Sequence, residues 1–208
     1  MTNHTIITIG RQFGSGGHEI GNCLAERLNL PLYDKNLVKM AAEKMKISEE
    51  EAQSVDETAL NKFLASYVVA PTDYMVYVNT EDFARPLSDR MYRVQTEIIR
   101  KLAEQGPCVI VGRCADYILR DNENCINAFI CASKEDRVKR IVRLYDMTEK
   151  EAASKIKRVD RERRYYYETH TGMDWGSIDS HQILLNASML GRDKIVDILA
   201  AMYEMNAR

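Results

Sequence analysis

Apolar residues fall into two rhythms along this chain. Continuous or β-branched apolar runs occur at 6–9, 30–34, 108–111, 125–132 and 182–185, and short runs of this kind bounded by turn residues predict strands, the continuous ones covered on both faces. Between them apolar residues recur every three or four positions. Ile20, Cys23, Leu24 and Leu28, then Leu37, Val38, Ala41, Ala42 and Met45, mark two helices, and the same periodicity predicts others near 49–68, 87–105, 134–145, 148–167 and 192–205. Ser48 with Glu51 and Thr148 with Glu151 are spaced as capping boxes, Ser133 is placed to cap a helix, and Gly106-Pro107 stops one. Positions 69–86, irregular and holding two of the four prolines, predict a loop. With 208 residues, 45% of them hydrophobic, the chain is sized for one domain. Strands alternating with helices predict an α/β fold of three layers, a parallel sheet with helices on both faces, whose ligands gather at the carboxyl ends of the strands.

The stretch after the first predicted strand carries the densest chemistry: Gly10-Arg11-Gln12-Phe13-Gly14-Ser15-Gly16-Gly17-His18-Glu19. A glycine-rich turn leading into a helix presents backbone N–H groups and the positive end of the helix dipole, a setting suited to phosphate; a tight turn with no ligand is the plain alternative. Neither familiar motif is complete. Where a phosphate-binding loop has the lysine that reaches the β- and γ-phosphates, this chain has Gly17, and the hydroxyl that holds Mg²⁺ is replaced by His18 or, one place later, Glu19. The dinucleotide fingerprint starts with Gly14 and Gly16 but finds Glu19 where its third glycine belongs.

Other candidates follow other strands. Asp34 ends the second, Arg113 follows Gly112 after the third, and Asn186 follows the last. Arg158, Arg161 and Arg164, three apart in a predicted helix, form a second basic group, readable either as a solvated face or as a set of anion-binding guanidiniums. The tyrosines 165–167 and the segment 171–177 behind them read as a mobile flap. A net charge of −2 gives no bulk reason to expect a nucleic acid polymer or an anionic membrane as partner. The five cysteines lack metal-ligand spacing and read as reduced thiols. No signal-peptide core or membrane-length apolar run is present, which predicts a cytoplasmic protein.

These segments together resemble the cytidylate-kinase-like branch of the P-loop nucleoside-monophosphate kinases. The likeness is carried by Ile7 to Gly17, by Leu32-Tyr33-Asp34, by Val109-Ile110-Val111-Gly112-Arg113-Cys114-Ala115-Asp116, and by Lys157-Arg158-Val159-Asp160-Arg161. It implies a P-loop fold with a helical monophosphate-binding insert at about 35–86 and an arginine-bearing lid at about 155–178. It further implies ATP on Arg11, Gly14, Ser15, Gly16, Gly17, His18 and Glu19, an acceptor on Asp34, Arg113 and Asp116, and transfer assisted by Arg158, Arg161, Arg164 and His18. The expected reaction is ATP-dependent phosphorylation of a nucleoside monophosphate, CMP or dCMP, with Mg²⁺. The departures at Gly17, Glu19 and Cys114 leave open whether His18, Arg11 or a lid arginine supplies the missing charge, and make Glu19 a candidate Mg²⁺ ligand. They also leave a non-catalytic nucleotide sensor as the alternative. A dinucleotide enzyme with Asp34 on the ribose is a third reading.

Overall fold

The computed structural model describes residues 4–48 and 87–206. Five parallel strands, β1 (Ile6–Arg11), β2 (Leu32–Tyr33), β3 (Cys108–Val111), β4 (Cys125–Cys131) and β5 (Ile183–Asn186), form one sheet in the order β2-β3-β1-β4-β5. β1 lies at its centre, with Ile7 opposite Val109 on one side and Ile126 on the other. Since successive side chains of a strand point to opposite faces, the continuous apolar runs divide between two cores. Ile6, Cys108, Ile110 and Cys125 enter one; Ile7, Ile9, Val109, Val111, Ile126, Ala128 and Ile130 enter the other.

Helices α1 (Gly17–Leu28), α2 (Lys35–Met45), α3 (Leu87–Gln105), α4 (Ala115–Ile118), α5 (Lys134–Tyr145), α6 (Glu149–Thr171), α7 (Ala187–Leu190) and α8 (Arg192–Asn206) surround the sheet. α2, α3 and α4 fill the first core, while α1 and α8 fill the second. A smaller cluster joins α5 and α6 through Ile141, Ala152 and Ile156, with Phe13 of the glycine loop packed on it.

The helix expected at 49–68, its Ser48–Glu51 cap and the loop at 69–86, hence most of the 35–86 insert, lie outside the described residues. Ser133 caps α5, and Thr148 with Glu151 caps α6 as expected. α6 runs four residues beyond its predicted end, to Thr171, where Gly172 closes it at φ 69°. The expected flap is folded down: Trp175 packs edge-on against Phe129 of β4 at 5.3 Å, and His181 stacks on the same ring at 4.8 Å. The strand order also decides against the dinucleotide reading, whose sheet places its second strand beside the first; here β3 stands between them. Among the described residues no helix is long and apolar enough to cross a membrane, and all five cysteines are free.

Candidate functional site

The glycine loop leaves β1 and turns into α1 through Gly14 at φ 81° and Gly16 at φ 87°. Both lie in the left-handed region that side chains avoid. Gly16 is the N-cap of α1, so the first N–H groups of the helix, which have no partner within it, open toward the loop. Inside the turn the Ser15 hydroxyl donates to the Gln12 carbonyl at 2.9 Å, and the Gln12 side-chain oxygen accepts from Ala132 N–H at 3.1 Å. Phe13 is clasped at both backbone groups: its N–H donates to Asp160 at 2.8 Å, its carbonyl accepts from Arg137 Nε at 2.8 Å, and Arg137 and Asp160 pair with each other. Helices α5 and α6 thereby fix the loop from outside.

On one side of the loop lies an open cavity of about 450 Å³. Gly14, Ser15 and Gly16 form its wall, and Lys139, Arg140, Arg143 and Arg192 bring positive charge to it. Glu19 faces the same space, paired with Arg140 at 2.6 Å, and that bond holds its carboxyl below the usual range. The cradle suits the phosphates of a nucleoside triphosphate: backbone donors at a helix N-terminus with cations around them. Mg²⁺ fits the chain less well. The Ser15 hydroxyl is turned to Gln12 and Glu19 is committed to Arg140, and among the described residues no three His, Cys, Asp or Glu side chains are grouped to hold an ion.

On the other side, at the ends of β1 and β3, guanidiniums converge. Arg11 pairs with Asp34 at 3.3 Å. Arg163 reaches in from α6 and donates to the Arg11 carbonyl at 3.0 Å. Arg113 stands in a run of three left-handed residues, Gly112 at φ 76°, Arg113 at 63° and Cys114 at 54°, a costly backbone path for side-chain-bearing residues that turns the chain sharply at the strand end. Burial and the nearby Arg11 charge pull Arg113 down to about 10, and burial, then Arg11, pull Arg163 down to about 9. Three partly buried cations thus lie in one another's field beside Asp34, with Asp160 also acting on Arg163, and the Asp34 oxygen not paired with Arg11 lies 2.6 Å from His18 Nδ1.

The structure therefore brings Arg11, His18, Asp34 and Arg113 together and sets Gly14, Ser15, Gly16 and Glu19 along the neighbouring cavity. It does not bring in Arg158, Arg161 or Arg164. All three are exposed, with Arg158 3.5 Å from Glu162 and Arg164 3.8 Å from Glu168. Asp116 is also elsewhere: its carboxylate is buried, accepting from the Tyr167 hydroxyl at 2.6 Å, with His181 Nδ1 at 3.4 Å. Arg163 and the clasp residues Arg137 and Asp160 are the ones that sequence reasoning passed over. The signal for Asp160 and Arg163 is the apolar stripe Ala152, Ile156, which continues at steps of four, three and four through Asp160, Arg163 and Tyr167.

A family model described as the cytidylate kinase-like family matches residues 6–189. The chain belongs to that family. No curated protein matches it. Among solved structures, an uncharacterized protein from Eubacterium ventriosum is 30% identical with a TM-score of 0.69, the match covering 97% of this chain and 99% of that one. Two more distant likenesses bear on the fold alone. A shikimate kinase from Bacteroides thetaiotaomicron has 14% identity and a TM-score of 0.51 over 96% and 98% of the two chains. A gluconokinase from Sinorhizobium meliloti has 12% identity and a TM-score of 0.51 over the whole of both. The cytidylate kinase-like family membership and the sheet of a P-loop kinase make this a kinase-like fold.

Proposed function

We propose that this protein transfers the γ-phosphoryl group of ATP to the phosphate of a nucleoside monophosphate, with CMP or dCMP as the acceptor that the family likeness favours. The observation that carries the reading is the gathering of Arg11, Arg113 and Arg163 at the ends of β1 and β3, beside Asp34 and the glycine loop. Guanidinium groups collected next to a phosphate cradle suit a second phosphate, the anion that their forks match. ATP supplies the phosphoryl group: the bond from Pγ to the bridging oxygen of ADP breaks as an already anionic oxygen of the acceptor bonds to Pγ, so no base has to remove a proton. The glycine loop and the cations of the neighbouring cavity hold the donor phosphates. Arg113 and Arg163 orient the acceptor and offset the charge that spreads over the transferred group. Phe13, fixed by Asp160 and Arg137, keeps the two halves in register.

One observation favours a second reading, a nucleotide sensor without turnover: the chain has Gly17 where the loop lysine belongs and Glu19 where the metal-holding hydroxyl belongs. ATP consumption measured against a panel of nucleoside monophosphates with Mg²⁺ separates the two. Transfer to a pyrimidine monophosphate is the expected result; ATP binding with no transfer to any member of the panel leaves the sensor.

A further inference from the structure

In a standard phosphate-binding loop the lysine side chain starts from the position of Gly17. Here that space is filled from the strand. A Cβ at Gly17 would lie 2.6 Å from Arg11 Cβ and 3.0 Å from Arg11 Cγ. The first distance is closer than Cβ contacts come and the second is tight, so a side chain at 17 would require the loop or the end of β1 to shift, and β1 is paired there, Arg11 standing opposite Ile130 in the sheet. The Arg11 stem therefore runs across the face of the loop where a lysine stem would begin. Its guanidinium ends on the turn after β3, so close to Gly112 that a Cβ there would sit 1.7 Å from Arg11 Nη1. Asp34 holds it from one side at 3.3 Å, and Arg163 braces the Arg11 carbonyl at 3.0 Å.

We propose that Arg11 is the catalytic cation replacing the loop lysine, and that Gly17 and Gly112 are glycines because its stem and its guanidinium occupy the room their side chains would take. This rests on the reading of the glycine loop as a triphosphate cradle. The charge enters from β1 and spans from the donor loop to the acceptor turn, between the two phosphates that exchange the phosphoryl group. A lysine at 17 and an arginine at 11 are mutually exclusive, so each is harmful beside the other and useful without it. His18, the competing candidate, meets Arg11 on the Asp34 carboxylate but has both ring nitrogens engaged, Nδ1 with Asp34 at 2.6 Å and Nε2 3.3 Å from Asn22 one turn along α1.

The test is a double-mutant cycle read by calorimetric ATP affinity and by melting temperature, with transfer rate as a third readout. Arg11→Gly is expected to weaken ATP at least tenfold. Gly17→Lys alone is expected to lower the melting temperature without tightening ATP. The double variant Arg11→Gly/Gly17→Lys is expected to recover ATP affinity to within about threefold of wild type. A double variant that binds no better than Arg11→Gly, or a Gly17→Lys protein as stable as wild type, overturns the assignment while leaving the nucleotide reading intact. Wild-type protein with no ATP affinity overturns the nucleotide reading and this assignment with it. If the glycine variants do not melt cooperatively, Arg11→Gln decides, since it keeps the stem and removes the charge: ATP at least tenfold weaker supports the proposal and unchanged affinity overturns it.

Discussion

The two sides of the glycine loop treat positive charge in opposite ways. On the cavity side Lys139, Arg143 and Arg192 are exposed, and Arg140 has a carboxylate, Glu19, within 2.6 Å. Their charges keep their water. On the β3 side Arg11 has only 16% of its side chain exposed, and Arg113 and Arg163 are drawn well below the ordinary guanidinium value. There the charges have lost water, with Asp34 beside Arg11 and Asp160 acting on Arg163. Exposed cations attract a ligand from a distance and release it easily; desolvated ones bind at closer quarters and act on charge as it moves. On the proposed function, the cavity side admits a nucleotide and the β3 side holds what receives the phosphoryl group.

The largest expected effect comes from undoing the clasp that separates the two sides. Asp160→Ala leaves Arg137 as a buried charge without its partner and Phe13 N–H without its acceptor, and such losses cost about 3–5 kcal/mol. Denaturant titration checks this. A loss under about 1 kcal/mol, the worth of an exposed pair, would mean that the clasp is a surface ion pair and the division between the sides is not built in.

Next is a contrast within α6. Arg163→Ala should lower transfer about 100-fold or more, as removal of a positioned transition-state donor does, whereas Arg161→Ala, on the exposed face, should change it less than threefold. Turnover at saturating ATP and acceptor checks both. Equal losses would return the exposed arginines to the chemistry.

A smaller effect needs no turnover. Inorganic phosphate at about one hundred times its dissociation constant adds about 2.7 kcal/mol by mass action, roughly a 5–10 °C rise in melting temperature for a chain this long. Arg113→Ala should remove most of that rise and Arg140→Ala little of it. The reverse pattern would place the stronger anion site in the cavity.

The smallest is Glu19→Gln, which removes an ion pair whose carboxylate is nearly half exposed and so contributes under about 1 kcal/mol. Because Arg140 holds the Glu19 carboxyl below its ordinary value of 4.5, the pair stabilises the fold above that pH and ceases to as pH falls through the lower, folded-state value. The melting temperatures of wild type and variant should differ slightly at neutral pH and converge as pH falls below the ordinary carboxyl value. A difference that grows on acidification would contradict the pairing.

The central strands were legible because a doubly covered strand has no polar face to confuse the pattern: Cys108–Val111 is buried at every position. The caps of α5 and α6 were legible because capping is local. The site was legible only where it follows a strand, as with Asp34 and Arg113. In α6 the three-residue spacing of Arg158, Arg161 and Arg164 did not mark the inward face, since steps of three turn through about 300° and drift off a face, whereas alternating steps of three and four stay on it. The inward stripe was also disguised, because where α6 meets the loop its inward residues are the half-buried Asp160 and Arg163 rather than apolar ones. The exclusion between Arg11 and Gly17 is a contact across a turn, which no periodicity encodes. Asp116 sits close behind Arg113 in sequence, but α4 begins between them and carries its carboxylate into the core with Tyr167 and His181.

The clasp on Phe13 has a consequence for how the protein is born. Its bond to Asp160 spans 147 residues, and the bond from Arg163 to the Arg11 carbonyl spans 152. A ribosome adding about 5–20 residues per second exposes the glycine loop roughly 8–30 s before α6 has been made. Throughout that interval the nascent chain carries the loop without the helix that fixes it and without Arg163. Strand pairing at β1 can proceed as β3 and β4 emerge, but the proposed phosphate site closes only once α6 has been synthesised, so a chain truncated before α6 is expected to pair β1 with β3 and β4 and yet not hold a nucleotide.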